Sequence, residues 1–409
     1  MHIVFLTHYF PPEVNAPASR TYENAKQWVK KGHKVTVITC APSHPKGIVY
    51  PGYVNKLRQW DEKDGIRVLR IKTYLGPNKG FFKRIANYVS YMVSAIVMCR
   101  FVKNVDLVVS TSPQFFCGLS GFFVSRIKRC PWVLEIRDLW PESIIAVGAI
   151  KQRTIINILE SIETFMYKKA DHVVSLTHAF KRHIAGRGKS PDQISIITNG
   201  ADLVQFQELG KDNSVRREYG LEGKFVASFI GTHGMAHALD TVLRAATLLA
   251  DREDVVFLLV GDGAERETLL KSKNDLALDN IIMVPQQEKK RMPEFIAASD
   301  ACMVLLRKSD LFKTVIPSKI FEAMAMARPI ILGVEGESQA IIEKGRCGLC
   351  IEPENEKQLV DAFLKLAEDD KLYRELAENG KRFVRQFYDR EKLAFNYLEL
   401  LEKVHTAEK

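Results

Sequence analysis

At 409 residues the chain can build two domains with sizeable cores, and 46% hydrophobic with 26% charged residues is the composition of an ordinary globular protein. A net charge of +10 and a pI near 9.1 ask for an anionic partner, whether nucleotide, phospholipid surface or nucleic acid. No nucleic-acid-binding signature accompanies that charge, which reads as spread along the chain, so no nucleic acid is expected as partner.

Residues 3–6 are too short for the apolar core of a signal peptide and read as the first strand. The protein is therefore expected in the cytoplasm or peripheral on the cytosolic face of the inner membrane. The stiff loop His8-Tyr9-Phe10-Pro11-Pro12-Glu13 follows, and a helix over 22–31 stops at Gly32. Apolar runs predict further strands at 35–39, 66–71, 107–110, 133–136, 173–176 and 194–197. Between the third and fourth strands lie residues 81–102, opening on Phe81-Phe82-Lys83-Arg84 and closing on Phe101-Val102. Their uncharged interior of 15 residues falls short of the roughly 20 that a spanning helix needs. The segment is either a partly buried outer helix or a monotopic contact with a cytosolic membrane surface.

A polar stretch over 204–224 with three glycines breaks the pattern. Six more strands are expected at 225–230, 255–260, 281–284, 302–306, 330–334 and 349–351. Near-continuous apolar strands alternating with helices mean parallel sheets covered on both faces. Thirteen strands are too many for one ordinary sheet. The fold class is therefore α/β, with two Rossmann-like doubly wound domains at 1–205 and 222–387. A terminal helix over 388–409 is placed to cross back to the first domain. Seven cysteines without disulfide-like spacing indicate a reducing compartment, and Cys347-x-x-Cys350 has no second pair to make a zinc site.

Chemistry concentrates at strand ends. Gly231-Thr232-His233-Gly234, Gly261-Asp262-Gly263-Ala264-Glu265-Arg266 and Gly333-Val334-Glu335-Gly336-Glu337-Ser338 each follow a strand and precede a helix, so their backbone can approach a ligand. None is a dinucleotide fingerprint or a P-loop, which removes most dehydrogenase and NTPase readings. Pro317-Ser318-Lys319-Ile320-Phe321-Glu322 reads as a helix with proline in its first turn. Lys319 and Glu322 share a face there, the cation suited to phosphate and the carboxylate to ribose hydroxyls. A surface ion pair is the plain alternative. In the first half, Glu135-Ile136-Arg137-Asp138-Leu139-Trp140-Pro141-Glu142-Ser143 places carboxylates and a cation beside a tryptophan, a set suited to sugar, or to a buried ion pair under a turn. No Ser/His/Asp triad and no metal-ligand cluster is visible, so neither cofactor nor metal is expected.

These motifs resemble the retaining glycosyltransferases of family 4, with their GT-B fold of two Rossmann-like domains facing across a cleft. The matching segments are Tyr9-Phe10-Pro11-Pro12-Glu13, Gly32-His33-x-Val35-Thr36-Val37-Ile38-Thr39, Arg137 to Ser143, Asn199-Gly200-x-Asp202, Val260-Gly261-Asp262-Gly263-x-x-Arg266, Pro317-Ser318-Lys319-x-x-Glu322 and Gly345-x-Cys347-Gly348-Leu349. Asp-Leu-Trp-Pro-Glu-Ser and Pro-Ser-Lys resemble the WbuB-like L-fucosaminyl transferase branch. The resemblance implies a hexosamine-type transferase (EC 2.4.1.-) moving sugar from a UDP-sugar donor, with retention, to a polyprenyl diphosphate-linked acceptor in O-antigen or capsule synthesis.

By the same resemblance, Gly263, Arg266, Ser318, Lys319 and Glu322 would bind the nucleotide. Thr232, His233, Gly336, Glu337 and Ser338 would take the diphosphate and sugar. Pro12, Glu13, Arg137, Trp140 and Glu142 would take the acceptor, with Asp138 and Lys319 as the catalytic candidates. The family's usual diphosphate cations align here with Thr232 and His237, and a usual glutamate with Thr314. Phosphate charge therefore moves to Lys319, helped by Arg307, Lys308 or Lys313. A GT-B-fold nucleotide-sugar epimerase and a non-catalytic nucleotide-sugar-binding protein remain as alternatives.

Overall fold

The computed structural model describes residues 1–13, 15–44, 47–76, 81–112, 114–146, 150 and 152–407. The chain divides into two compact units, Met1–Thr198 with Glu391–Lys409, and Asn199–Arg390. The polar stretch over 204–224 thus lies inside the second unit, where Phe206 is buried in a core cluster.

The first unit begins β1 (His2–Leu6), α1 (Ala16–Lys30), β2 (Lys34–Cys40), β3 (Arg58–Lys63), β4 (Ile66–Ile71), α2 (Phe81–Met98), β5 (Leu107–Ser112) and α3 (Phe115–Lys128). It continues β6 (Trp132–Ile136), α4 (Glu142–Ala146), α5 (Arg153–Lys169), β7 (His172–Ser175), α6 (His178–Gly186) and β8 (Ile194–Ile196). The eight strands lie in the order β3-β4-β2-β1-β5-β6-β7-β8. All pairs are parallel except β3 with β4. Strand β3, Arg-Gln-Trp-Asp-Glu-Lys, is absent from the sequence expectation. It is an edge strand, half-buried at best, so it carries no apolar run to betray it.

The second unit contains α7 (Ser214–Glu218), β9 (Phe225–Ile230), α8 (Asp240–Leu248), β10 (Val255–Val260), α9 (Arg266–Asp275), β11 (Ile281–Val284) and α10 (Met292–Ala298). It continues β12 (Ala301–Leu305), α11 (Lys319–Ala325), β13 (Ile330–Gly333), α12 (Glu337–Gly345), β14 (Gly348–Cys350), α13 (Glu356–Glu368) and α14 (Asp370–Phe387). Its parallel sheet runs β11-β10-β9-β12-β13-β14. Strand order reverses between β9 and β12, as it does between β1 and β5 in the first unit. Such switch points open crevices at the carboxyl ends of strands.

The terminal helix α15 (Arg390–Ala407) belongs to the first unit. Trp28 Nε1 donates to the Ala394 carbonyl at 2.9 Å, and Tyr397, Leu398 and Leu401 are buried in one cluster with Trp28 and Phe5. Each such side chain contributes about 1.5–3 kcal/mol by leaving water.

Candidate active site

At the carboxyl edge of the second sheet, the loops after β9 and β10 are stitched into one shelf. His233 N–H donates to Asp262 O at 2.9 Å, and Glu265 N–H donates to His233 O at 2.9 Å. The approach is too close for side chains at two positions. A Cβ on Gly261 would run into Gly231 O, and one on Gly263 into His233 O. After β13, Gly336 has φ +78° and sits against Lys313 O, where a Cβ would likewise clash.

Lys319 reaches under this shelf. Its Nζ lies 3.7 Å from the centroid of the Phe229 ring, and a Cβ on Gly231 would be 2.9 Å from it. That ammonium is buried with no hydrogen-bond partner. Burial lowers its pKa to about 8, against the pull of Glu322 and Cys302. Glu322 is half-buried one turn on.

The residues around Lys319 share its condition. His233 is fully buried with both ring nitrogens unpartnered, and Arg266 Nε is buried and unpartnered too. Burial, then the charges of Arg266 and Lys319, bring the His233 pKa to about 4 despite Asp262. His237, whose Nδ1 lies 3.3 Å from Leu305 O, is lowered to about 4 by burial and by Lys319. Both imidazoles are therefore neutral near pH 7. Buried polar groups are ordinarily paired, so this set of unsatisfied nitrogens fits an anionic ligand.

Several expected residues have other engagements. Helix α11 starts at Lys319, not at Pro317, and Ser318 precedes it without a side-chain capping bond. Ser338 Oγ donates to Val315 O at 2.8 Å. Thr232 is exposed at the shelf's rim, and Glu337 is half-buried in the first turn of α12. Lys313 pairs with Asp310 and Glu335, and Lys308 with Glu352, both lysines lying exposed at the surface. Arg266 and the neutral His233 are the groups that lie beside Lys319. Phe229 was not legible as part of the site, because a strand phenylalanine reads only as core.

The first unit's expected acceptor residues are mostly structural. Arg137 donates to Glu135 Oε1 at 2.5 Å and to Ile197 O at 2.9 Å, under the sheet edge. Trp140 is 5% exposed with its ring 4.8 Å from that of Phe115, so it is core and no platform for a pyranose. Glu142 faces His183 at 3.4 Å and Arg187 at 3.8 Å. Glu13 Oε1 accepts from Ser43 and His44 N–H at 3.0 Å each, which fixes the loop after β2. Pro12 does line an open space: a cavity of about 500 Å³ with Pro11, Tyr53, Gln59, Asp61 and Arg70. Asp138 accepts from Ser143 Oγ at 2.9 Å, and burial raises its pKa against that bond and the Leu139 N–H.

Two family models divide the chain between them: a glycosyl transferase 4-like domain over residues 15–200 and glycosyl transferases group 1 over 211–383. The chain belongs to the group 1, family 4-like glycosyltransferases. It is 23% identical over 399 residues to the colanic acid biosynthesis glycosyl transferase WcaI of Escherichia coli (strain K12), covering 92% of this chain and 96% of the relative. It is 25% identical to the N-acetyl-alpha-D-glucosaminyl L-malate synthase of Bacillus anthracis, over 58% of this chain and 61% of that one. Among solved structures it is similar to Anabaena Alr3699/HepE in complex with UDP-glucose, with a TM-score of 0.74 at 16% identity over 98% of this chain and 100% of the other. That likeness gives this glycosyltransferase the GT-B fold, two parallel-sheet Rossmann-like domains.

Proposed function

We propose that this glycosyltransferase moves a hexosamine-type sugar from a UDP-sugar to a polyprenyl diphosphate-linked acceptor, with retention, in surface polysaccharide assembly. The observation that carries the donor half is the buried, unpartnered Lys319 ammonium beside His233 and Arg266 under a glycine shelf. Negative charge develops on the leaving diphosphate as the glycosidic bond breaks, and preorganised cations in a dry site lower that barrier most. Lys319 supplies the charge, Arg266 and the two imidazoles supply further donors, and Glu322 accepts from ribose hydroxyls. The similarity to a fold solved with UDP-glucose supports a UDP donor. The names of the colanic acid and N-acetylglucosaminyl relatives support a polysaccharide product and an amino-sugar donor. Front-face attack needs no protein nucleophile, and Asp138, a carboxyl of raised pKa, is the group proposed nearest the acceptor.

Thermal shift against a panel of UDP-, GDP- and dTDP-sugars tests the donor, since ligand binding raises apparent stability with concentration over Kd. A UDP-N-acetylhexosamine should give the largest shift. Loss of transfer in Glu322→Gln with the fold intact is expected, and transfer within about threefold of wild type, under roughly 1 kcal/mol, would remove Glu322 from the site.

A further inference from the structure

The net charge of the chain is not spread along it. Residues 65–134 hold eleven Lys or Arg and one acid, Asp106, and the rest of the chain has forty-eight of each sign. All of the excess therefore sits in a segment of the first unit, whereas the residues proposed to bind the donor nucleotide belong to the second. The one acid is engaged: Asp106 Oδ2 accepts from His2 N–H at 2.6 Å.

This segment contains α2 and α3, which lie on one face of the first sheet and share a core cluster with α5. Ring contact between Phe122 of α3 and Phe165 of α5, at 4.9 Å, closes that row. The buried sides hold Tyr91, Ala95, Val124, Leu159 and Met166. The outer sides should then be polar, as on any water-facing helix. Instead Val93 is 52% exposed, Val97 42%, Phe123 40%, Ile127 54%, Ile158 55% and Phe165 37%. Helical spacing places each pair on the outer side of its own helix: 93 and 97 on α2, 123 and 127 on α3, 158 and 165 on α5.

Cations edge this apolar row. Arg58 and Arg100 stand over the Phe101 ring at 4.0 and 5.0 Å, and Lys128 Nζ donates to Val102 O at 2.7 Å. Arg126 and Arg129 are exposed at the end of α3. The acids of α5 face other partners: Glu163 is buried against Tyr167 and His183, and Glu160 pairs with Arg187. Among the described residues no helix is long and apolar enough to cross a membrane. The side chains of Phe81, Phe82 and Arg84, at the end where sequence placed a membrane contact, lie outside the described residues. The exposed apolar residues instead lie on three neighbouring helices, α2, α3 and α5.

We propose that the outer face of α2, α3 and α5 lies flat on an anionic phospholipid surface, its apolar side chains entering the headgroup boundary and its basic rim meeting the lipid phosphates. Apolar area and charge together give such binding, and neither alone suffices. Helix α2 follows the carboxyl end of β4 and runs back along the sheet to the amino end of β5. A unit lying on this face keeps the loops after β1 and β6 beside the lipid, where a lipid-linked acceptor is presented. That last point rests on the acceptor reading above, but the docking itself does not.

Flotation of the full chain with vesicles of phosphatidylethanolamine, with and without phosphatidylglycerol, tests the proposal. Wild type should float with the anionic vesicles and be released by salt. Arg126→Glu with Arg129→Glu should weaken partition by about fivefold or more for each cation lost. Phe123→Glu with Ile127→Glu should abolish it, and circular dichroism melts of these exposed-site variants should match wild type. Equal flotation of all three proteins, or none of wild type, would overturn the assignment. So would a wild-type dimer that Phe123→Glu splits without any lipid binding, which would give the face to a second copy. Transfer separates this inference from the functional reading. The variants should fall tenfold or more on a vesicle-embedded acceptor and keep wild-type rates on a detergent-dispersed short-chain one. Flotation without any transfer would leave docking standing and sink the acceptor assignment.

Discussion

The carboxyl edges of the two sheets are built from similar residue types and leave them in opposite states. In the first unit, Arg137 is held by Glu135 and the Ile197 carbonyl, Glu13 is held by two backbone N–H groups, and Trp140 is packed on Phe115. In the second, Lys319, His233 and Arg266 have buried nitrogens with no hydrogen-bond partner. A satisfied charge is scaffold, because removing its partner is what destabilises. An unsatisfied buried charge lowers stability in the free protein, and a ligand of opposite charge relieves that cost. The same arginine or lysine thus means different things according to whether its hydrogen bonds are already made.

The contrast can be broken by substitution. Lys319→Ala should lower kcat/KM by about a hundredfold or more, as removal of a group that stabilises transition-state charge does, and a steady-state assay with the UDP-sugar measures it. Arg137→Met should act on stability instead. It takes the nearer cation from the buried Glu135 carboxylate and leaves Arg20 at 3.7 Å, at about 3 kcal/mol, and thermal melts should show a fall on the order of 10 °C.

pH sharpens the comparison on a smaller scale. Lys319 has its pKa lowered to about 8 and is charged below that, and a bound diphosphate raises it again. Donor affinity should therefore be full below pH 8 and fall as pH rises through it, by at most about tenfold per unit. His233 and His237, lowered to about 4, can take up protons when the anion binds, so affinity should rise again as pH falls towards 5. Titration calorimetry with a UDP-sugar from pH 5 to 9 reads both limbs, and a flat profile would disconnect these groups from the phosphate. Smallest of all, Trp140→Phe should leave the acceptor KM within about twofold while costing some core packing.

Much of the second unit was readable before its structure. Each glycine loop follows an apolar run, and a run of four to six strand residues fixes where the carboxyl edge must lie. The thirteen expected strands are all present. The first unit was less readable at both levels. Strand β3 has a single apolar residue, Trp60, and with it the cavity beside Tyr53, Gln59, Asp61 and Arg70 went unseen. For Arg137 and Trp140 the sequence left a sugar contact and a buried ion pair under a turn both open, because residue type cannot reveal a partner: only the structure shows Arg137 on Glu135 and Trp140 packed on Phe115. The clustering of charge in residues 65–134 was open to counting from the start, and only the exposed apolar helices gave the count a meaning.

In the proposed donor site the Lys319 ammonium is kept without a hydrogen-bond partner for the phosphate. Calorimetric UDP titration of wild type and Lys319→Met, with thermal melts of each without ligand, tests it most directly. The folded pKa lies below the unfolded 10.5, so the unfolded chain binds the extra proton and wild-type stability should rise between pH 8 and 10.5. At pH 7 Lys319→Met should lose UDP affinity by a hundredfold or more and melt at a higher temperature than wild type. Unchanged affinity, or a lower melting temperature in Lys319→Met, would contradict the account.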